Sequence, residues 1–146
     1  MSSMRHNSSN TRVVVVALFL LSTTLGICDG SAIDPRKKPS AVTVINEVEG
    51  GPKLMVHCKS KNDDIGVHIL PPHQNIRWGF RPDFFGRTLF FCAMDWGEGL
   101  HWFHIYVESR DYDRCKDCRW LIKKGGPCLT NQERDSCHYW NKKSMW

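Results

Sequence analysis

The chain has 146 residues, with 20 Lys+Arg against 15 Asp+Glu and a formal net charge of +5. That length suits one domain, and the mild, mixed charge lacks the dense basic stripe of a phosphate-tracking surface, so nucleic acid is not an expected partner. Seven cysteines in so short a chain point to an oxidising compartment.

Residues 1–12 are polar, with Arg5 and Arg12 as the charges. They precede the apolar run Val13-Val14-Val15-Val16-Ala17-Leu18-Phe19-Leu20-Leu21, which tails off through Ser22 to Ile27. A basic start, an apolar run and then small residues is the form of a secretory signal peptide. The run is shorter than the ~18–20 apolar residues a spanning helix needs. A signal peptide over 1–30 is expected; cleavage after Cys28, Gly30 or Ala32 satisfies the small-residue rule, and Gly30 is favoured. It takes Arg5, Arg12, Asp29 and Cys28 with it, leaving 18 Lys+Arg, 14 Asp+Glu and six cysteines in 31–146. The Asn-x-Ser/Thr site Asn7-Ser8-Ser9 is inside the signal, so no glycan is expected on the mature chain. With no later segment long and apolar enough to cross a bilayer, a soluble secreted monomer without stable membrane insertion is expected.

Residues 31–40, "SAIDPRKKPS", carry two prolines and a basic cluster and read as a flexible arm before a domain over 41–146. From there the apolar period is two. Leu54, Val56 and Cys58 alternate with Lys53, Met55 and His57. Ile76, Trp78 and Phe80 alternate with Arg77, Gly79 and Arg81. Phe103, Ile105 and Val107 alternate with Trp102, His104 and Tyr106. Cys118, Trp120 and Ile122 alternate with Arg119, Leu121 and Lys123. Each run is a strand with one face in a core.

Strands are expected near 41–48, 53–59, 67–70, 75–81, 88–94, 101–108 and 118–124, with an eighth near 136–140. Turn formers separate them, among them Asn62-Asp63-Asp64, Pro82-Asp83 and Gly125-Gly126-Pro127. This spacing predicts an all-β fold, a small antiparallel β-sandwich of seven to eight strands, with little helix. The aromatic, arginine-rich stretch "RWGFRPDFFGRTLFFC" over 77–92 is then mostly core with flanking arginines. It does not match an RNA-recognition strand, because Pro82 interrupts it.

Cys58, Cys92, Cys115, Cys118, Cys128 and Cys137 are expected as three disulfides. Spacing leaves their connectivity open. Core-facing positions at Cys58 and Cys118 suggest a cross-sheet bridge involving one of them, and Cys128 and Cys137 bracket a short loop that they could close. A zinc site on Cys115-x2-Cys118 with Cys128 and Cys137 is the lesser reading, because the second pair is widely spaced. No cofactor is expected.

The stretches "LMVHCKSKNDDIGVHIL", "WGFRPDFFGRTLFFCAMDW" and "HWFHIYVESRDYDRCKDCRWLIKKGGPC" resemble the plant self-incompatibility S1 family, the S-protein homologues. The matching positions are His57, Cys58, Ser60, Asp63 and Asp64, then Trp78, Phe80, Thr88, Phe90 and Cys92, then Cys115, Cys118 and Trp120. The likeness covers roughly residues 41–140 in order. It implies a small secreted β-sandwich without catalytic activity, whose best understood members are ligands of a cell-surface receptor. The loops are then the expected contact regions. They are 59–66 with Asp63 and Asp64, 95–101 with Asp95, Trp96 and Glu98, and 109–117 with Arg110, Asp111, Tyr112, Asp113 and Arg114.

Two competing readings are a cationic defence protein acting on membranes and a secreted hydrolase. The hydrolase would use His57, His101 or His104 with Asp95 or Glu98. On a strand, His101 and His104 face opposite sides of the sheet and do not converge.

Overall fold

The computed structural model describes residues 36–130 and 134–142. The expected signal segment 1–30, with Cys28 and Asn7, lies outside the described residues, as does 31–35 of the arm.

Alternating apolar side chains build two sheets that face each other. In chain order the strands are β1 Ser40–Asn46, β2 Leu54–Lys59, β3 Asp64–Leu70, β4 Asn75–Phe80, β5 Leu89–Asp95 and β6 His101–Val107. A single helical turn, α1 Glu108–Asp111, precedes β7 Asp117–Lys123, β8 Gly126–Thr130 and β9 Ser136–Cys137. One sheet has the order β4-β1-β7-β8-β9 and the other β3-β2-β5-β6. The core between them holds Val42, Val44, Trp120 and Ile122 from the first sheet. Leu54, Val56, Phe90, Met94, Phe103 and Ile105 come from the second, all buried. Three of the four alternating runs keep their phase: Leu54, Val56 and Cys58 are buried, Ile76, Trp78 and Phe80 pack on the core, and Cys118, Trp120 and Ile122 are buried.

The fourth run changes phase midway. Phe103 and Ile105 point inward, but so does Tyr106, while Val107 is only half-buried. The cause is a bulge: Cys92 pairs with Phe103 and Phe90 with Tyr106, so β6 spends one more residue than β5 over this stretch. An extra residue in a strand turns every later side chain to the other face.

Three further features depart from the sequence reading. β1 and β7 pair in parallel, Ala41 with Asp117 through Asn46 with Ile122, so the sandwich is antiparallel-rich and not wholly antiparallel. Gly125-Gly126-Pro127, expected as a turn alone, opens strand β8. Gly126 has φ +139°, and a Cβ there would sit 1.9 Å from the His138 carbonyl oxygen, so only glycine fits. Pro127 follows, and its carbonyl still accepts from the His138 N–H at 2.9 Å, one residue past the β8–β9 pairing at Cys128 and Leu129. The expected eighth strand over 136–140 is paired only at Ser136–Cys137. Residues 138–142 instead cross to the other sheet. There the Asn141 N–H donates to the Trp102 carbonyl (2.8 Å) and the Asn141 Oδ1 accepts from the His104 N–H (2.9 Å). This covers the free edge of β6.

All six cysteines of the described domain are oxidised: Cys58–Cys92, Cys115–Cys118 and Cys128–Cys137. The zinc reading is therefore overturned. The expected cross-sheet bridge is also corrected: Cys58 and Cys92 face each other on the neighbouring strands β2 and β5 of one sheet, and Cys118 closes on Cys115 locally. Cys128 and Cys137 close on each other as expected, across the β8–β9 pair.

Candidate functional site

The strand directions sort the connections into two ends. At the entry end, where the chain comes into β1, lie residues 36–39, the β2–β3 turn 60–63, the β4–β5 loop 81–88 and the β6–β7 connection 108–116. At the far end lie 47–53, 71–74, 96–100 and 124–125. Two of the three expected contact loops thus share the entry end, and the loop holding Asp95, Trp96 and Glu98 sits opposite.

Local hydrogen bonds shape the entry-end loops. Ser60 Oγ accepts from the N–H groups of Asn62 (3.2 Å) and Asp63 (2.9 Å), so the β2–β3 turn is held by its own side chain. Asp64 Oδ1 accepts from the Gly66 N–H (2.9 Å) and meets His57 Nε2 at 2.7 Å. The Gly66 N–H and then His57 hold the Asp64 carboxyl down at about 2, well below the usual aspartate range. Both Asp63 and Asp64 are exposed.

In the β6–β7 connection, Asp113 and Arg114 are exposed and Tyr112 is half-buried, its hydroxyl accepting from the Lys38 N–H at 3.2 Å. Arg110 and Asp111, expected as contact residues, belong to the scaffold. Asp111 is 0% exposed, accepts from Arg110 Nε at 2.7 Å, and takes the Val107 N–H at 2.8 Å. The Arg110 guanidinium lies over the rings of Phe103 (5.4 Å) and Trp120 (5.2 Å) and donates to the His104 carbonyl. These bonds fix α1, and with it the exposed Asp113-Arg114 tip. Glu108 is also buried; it accepts from the Thr88 N–H (3.0 Å) and from Lys37 Nζ. Lys37 is therefore anchored, and β1 begins at Ser40, inside the expected arm.

At the far end Trp96 is 8% exposed and stacks on His101 with ring centroids 4.1 Å apart, so it too is scaffold. Asp95 Oδ1 accepts from the Gly97 N–H (2.7 Å). Glu98 is exposed, and its bond to Lys124 is the main cause of its lowered pKa.

Sequence reasoning missed two adjoining clefts at the entry end. A cleft of about 490 Å³ is lined by Pro39, Ser40, Ala41, Arg77, Gly79, Phe80, Arg81, Lys116 and Asp117. A second, of about 400 Å³, adjoins it through Pro39, Ser40 and Lys116 and adds Lys38, Tyr112, Asp113, Arg114 and Cys115. Alternation had marked Arg77 and Arg81 as outward-facing, but their meeting with Lys116 depends on the β4-β1-β7 order. Burial works against the charge of Asp117, yet Arg77 (2.9 Å) and Thr43 (2.8 Å) outweigh it and keep that carboxyl below its ordinary range. Beside the cleft the β4–β5 loop exposes Phe84 and Phe85, at 50% and 63%.

The groups named for hydrolysis share no common partner in their hydrogen bonds among the described residues. His57 is on Asp64, His101 Nδ1 is on the Gly99 carbonyl (2.9 Å), and His104 Nε2 is buried with no hydrogen-bond partner among the described residues. Among the described residues, no group of three or more His, Cys, Asp or Glu could hold a metal ion.

Burial, then the Arg110 charge, lowers the pKa of His104. Burial, then Arg110 and Arg114, lowers that of His138, with Asp111 opposing. Both imidazoles thus bind protons less readily folded than unfolded. Their stabilisation is complete above the unfolded value of about 6.5 and is lost as pH falls through it toward the depressed folded values. The urea midpoint should drop between about pH 7.5 and about pH 5, and His138→Gln/His104→Gln should flatten that dependence. An equally steep dependence in the variant would remove these two groups as its cause.

The family description of plant self-incompatibility protein S1 matches residues 41–146. S-protein homolog 5 of Arabidopsis thaliana is 40% identical over 108 residues, 74% of this chain and 83% of the relative. S-protein homolog 29 of the same plant is 34% identical over 136 residues, 91% of this chain and 98% of the relative. A solved structure of a self-incompatibility protein homologue, from a family described as small, highly stable and secreted, superposes with a TM-score of 0.56 at 17% identity, covering 72% of this chain and 96% of that one. The chain belongs to the plant self-incompatibility S1 family, the S-protein homologues, a family of small secreted plant proteins.

Proposed function

We propose that the protein is a secreted cell–cell signalling ligand that recognises a cell-surface receptor protein through the entry-end loops, in self-incompatibility or a related reproductive or developmental role. One observation carries this reading: the exposed residues Asp113 and Arg114 sit between two fixed points. On one side is the ion pair of Arg110 with the buried Asp111; on the other, Cys115 is bridged to Cys118. A loop held on both sides loses little entropy on docking. Its tip can vary in sequence without disturbing the core. The Asp63–Asp64 turn lies at the same end and extends the surface.

Exchange of residues 112–114 and 60–63 for those of a relative, keeping Asp111 and Cys115, should abolish the receptor-dependent response of target tissue. Exchange of 97–100 at the far end should leave it intact. A response indifferent to the entry-end exchange would defeat the proposal.

A further inference from the structure

The charge of the domain is unevenly placed. The two adjoining entry-end clefts bring together Lys38, Arg77, Arg81, Arg114 and Lys116 against Asp113 and Asp117. The far-end connections carry Glu47, Glu49 and Glu98 against Lys53 and Lys124. Neither Arg81 nor Lys116 makes an ion pair with a described residue, whereas Arg77 already holds a carboxylate, that of Asp117, at 2.9 Å. The floor of the larger cleft is small: Ala41 lies opposite Gly79 in the β1–β4 register and opposite Asp117 in the β1–β7 register.

Resting on the receptor reading above, we propose that these joined clefts are the docking groove for an acidic, extended segment of the partner protein, with Arg81 and Lys116 taking its carboxylates. Guanidinium and ammonium groups without partners are the natural counterparts of carboxylates. Phe84 and Phe85, exposed on the loop that follows Arg81, supply apolar contact beside the charged groove, the combination found where a few residues dominate binding.

Two features favour a polypeptide over other polyanions. The cations line a concave surface, which a flat layer of lipid headgroups does not enter. Asp113 and Asp117 interrupt the positive lining, so a chain with an anion at every unit meets repulsion. A polypeptide can place acidic residues on Arg81 and Lys116 and neutral or basic ones on the aspartates.

The test uses the oxidised, secreted protein and three probes: a fluorescent peptide alternating glutamate and serine, polygalacturonate, and phosphatidylserine vesicles. Binding is read at low and at physiological salt. The peptide should bind, and Arg81→Glu/Lys116→Glu should weaken it at least ~10-fold. The same charge change at the far end, Lys53→Glu/Lys124→Glu, should weaken it less than about 3-fold.

A further variant separates groove from general attraction. A Cβ at Gly79 would lie 3.8 Å from the Ser40 carbonyl oxygen, an ordinary contact, so Gly79→Tyr can fill the cleft with no change of charge. It should weaken the peptide as much as the charge reversal does. No peptide binding, equal loss in the far-end variant, full binding by Gly79→Tyr, or tighter binding to polygalacturonate or vesicles would each overturn the proposal. Because no receptor is present, such a failure would leave the loop-exchange test of the ligand reading standing on its own.

Discussion

A Cys58→Ala/Cys92→Ala variant should be about 4 kcal/mol less stable than the native chain, which is a large part of the roughly 5–15 kcal/mol that holds a domain together. The bridge closes a segment with a sequence separation of 34, and its restriction of the unfolded chain grows with that length. The same reasoning gives about 3 kcal/mol for Cys128–Cys137, with a separation of 9, and about 2 kcal/mol for Cys115–Cys118, with a separation of 3. Cys58 and Cys92 are moreover fully buried within the core, so two alanines there leave a void that Cys137, exposed at its edge, would not. Urea unfolding of the three pairwise variants should rank them in that order. A smaller loss at Cys58–Cys92 than at Cys128–Cys137 would show that chain entropy is not the governing factor.

Asn46→Ala should cost about 3 kcal/mol or more, an unusual loss for one surface-distal polar side chain. Asn46 ends β1 and is 1% exposed. Its Nδ2 donates to the carbonyls of Pro52 (2.8 Å) and Leu70 (2.9 Å), and its Oδ1 accepts from the Val48 N–H (3.2 Å). Its backbone donates to the Gln74 carbonyl and accepts from the His73 N–H. One residue thus joins the β1–β2 connection, the end of β3 and the β3–β4 connection. Alanine would leave three backbone groups without this partner, and the two buried ones, the Leu70 carbonyl and the Val48 N–H, each cost about 1–3 kcal/mol if nothing replaces it.

Asn46→Asp is a sharper probe. It keeps the acceptor for Val48 but aims a carboxylate at two carbonyl oxygens, which raises the folded pKa of the new group. The folded state then favours the protonated group, so the variant should recover relative to the native protein as pH falls from neutral toward the unfolded value of about 4, with the recovery complete below it. Thermal melts across that range would show it. A variant that weakens in parallel with the native protein would argue against the two carbonyl contacts.

Arg77 and Arg81 show how far a one-dimensional pattern reaches. Their alternation with Ile76, Trp78 and Phe80 placed them outside the core, as found, because side-chain direction on a strand depends only on the parity of position. Their nearness to Lys116 depends on β1 lying between β4 and β7, a matter of pairing across long stretches of chain. Arg110, Asp111 and Trp96 mark the opposite error. They are polar or amphipathic residues in loop segments, which is why they look available for contact, yet Arg110 lies over the Trp120 ring, Asp111 takes the Val107 N–H four residues back, and Trp96 stacks on His101. β8 was hidden for a related reason: Gly126-Pro127 carries a turn composition, and only the close passage of His138 explains the glycine.

Period-two hydrophobicity and six cysteines were enough to specify a disulfide-bonded β-sandwich, and the ordered His57-to-Trp120 motifs were enough to place it among the S-protein homologues. Those signals are local, since each residue's face follows from its immediate neighbours. The Cys58–Cys92 and Cys115–Cys118 pairings, the parallel β1–β7 pairing, the bulge that turns Tyr106 inward and the cationic clefts came from the folded chain. They are set by which strands lie side by side and in what register, and that is settled by packing two apolar faces together, a condition on the whole domain that no short stretch of it contains.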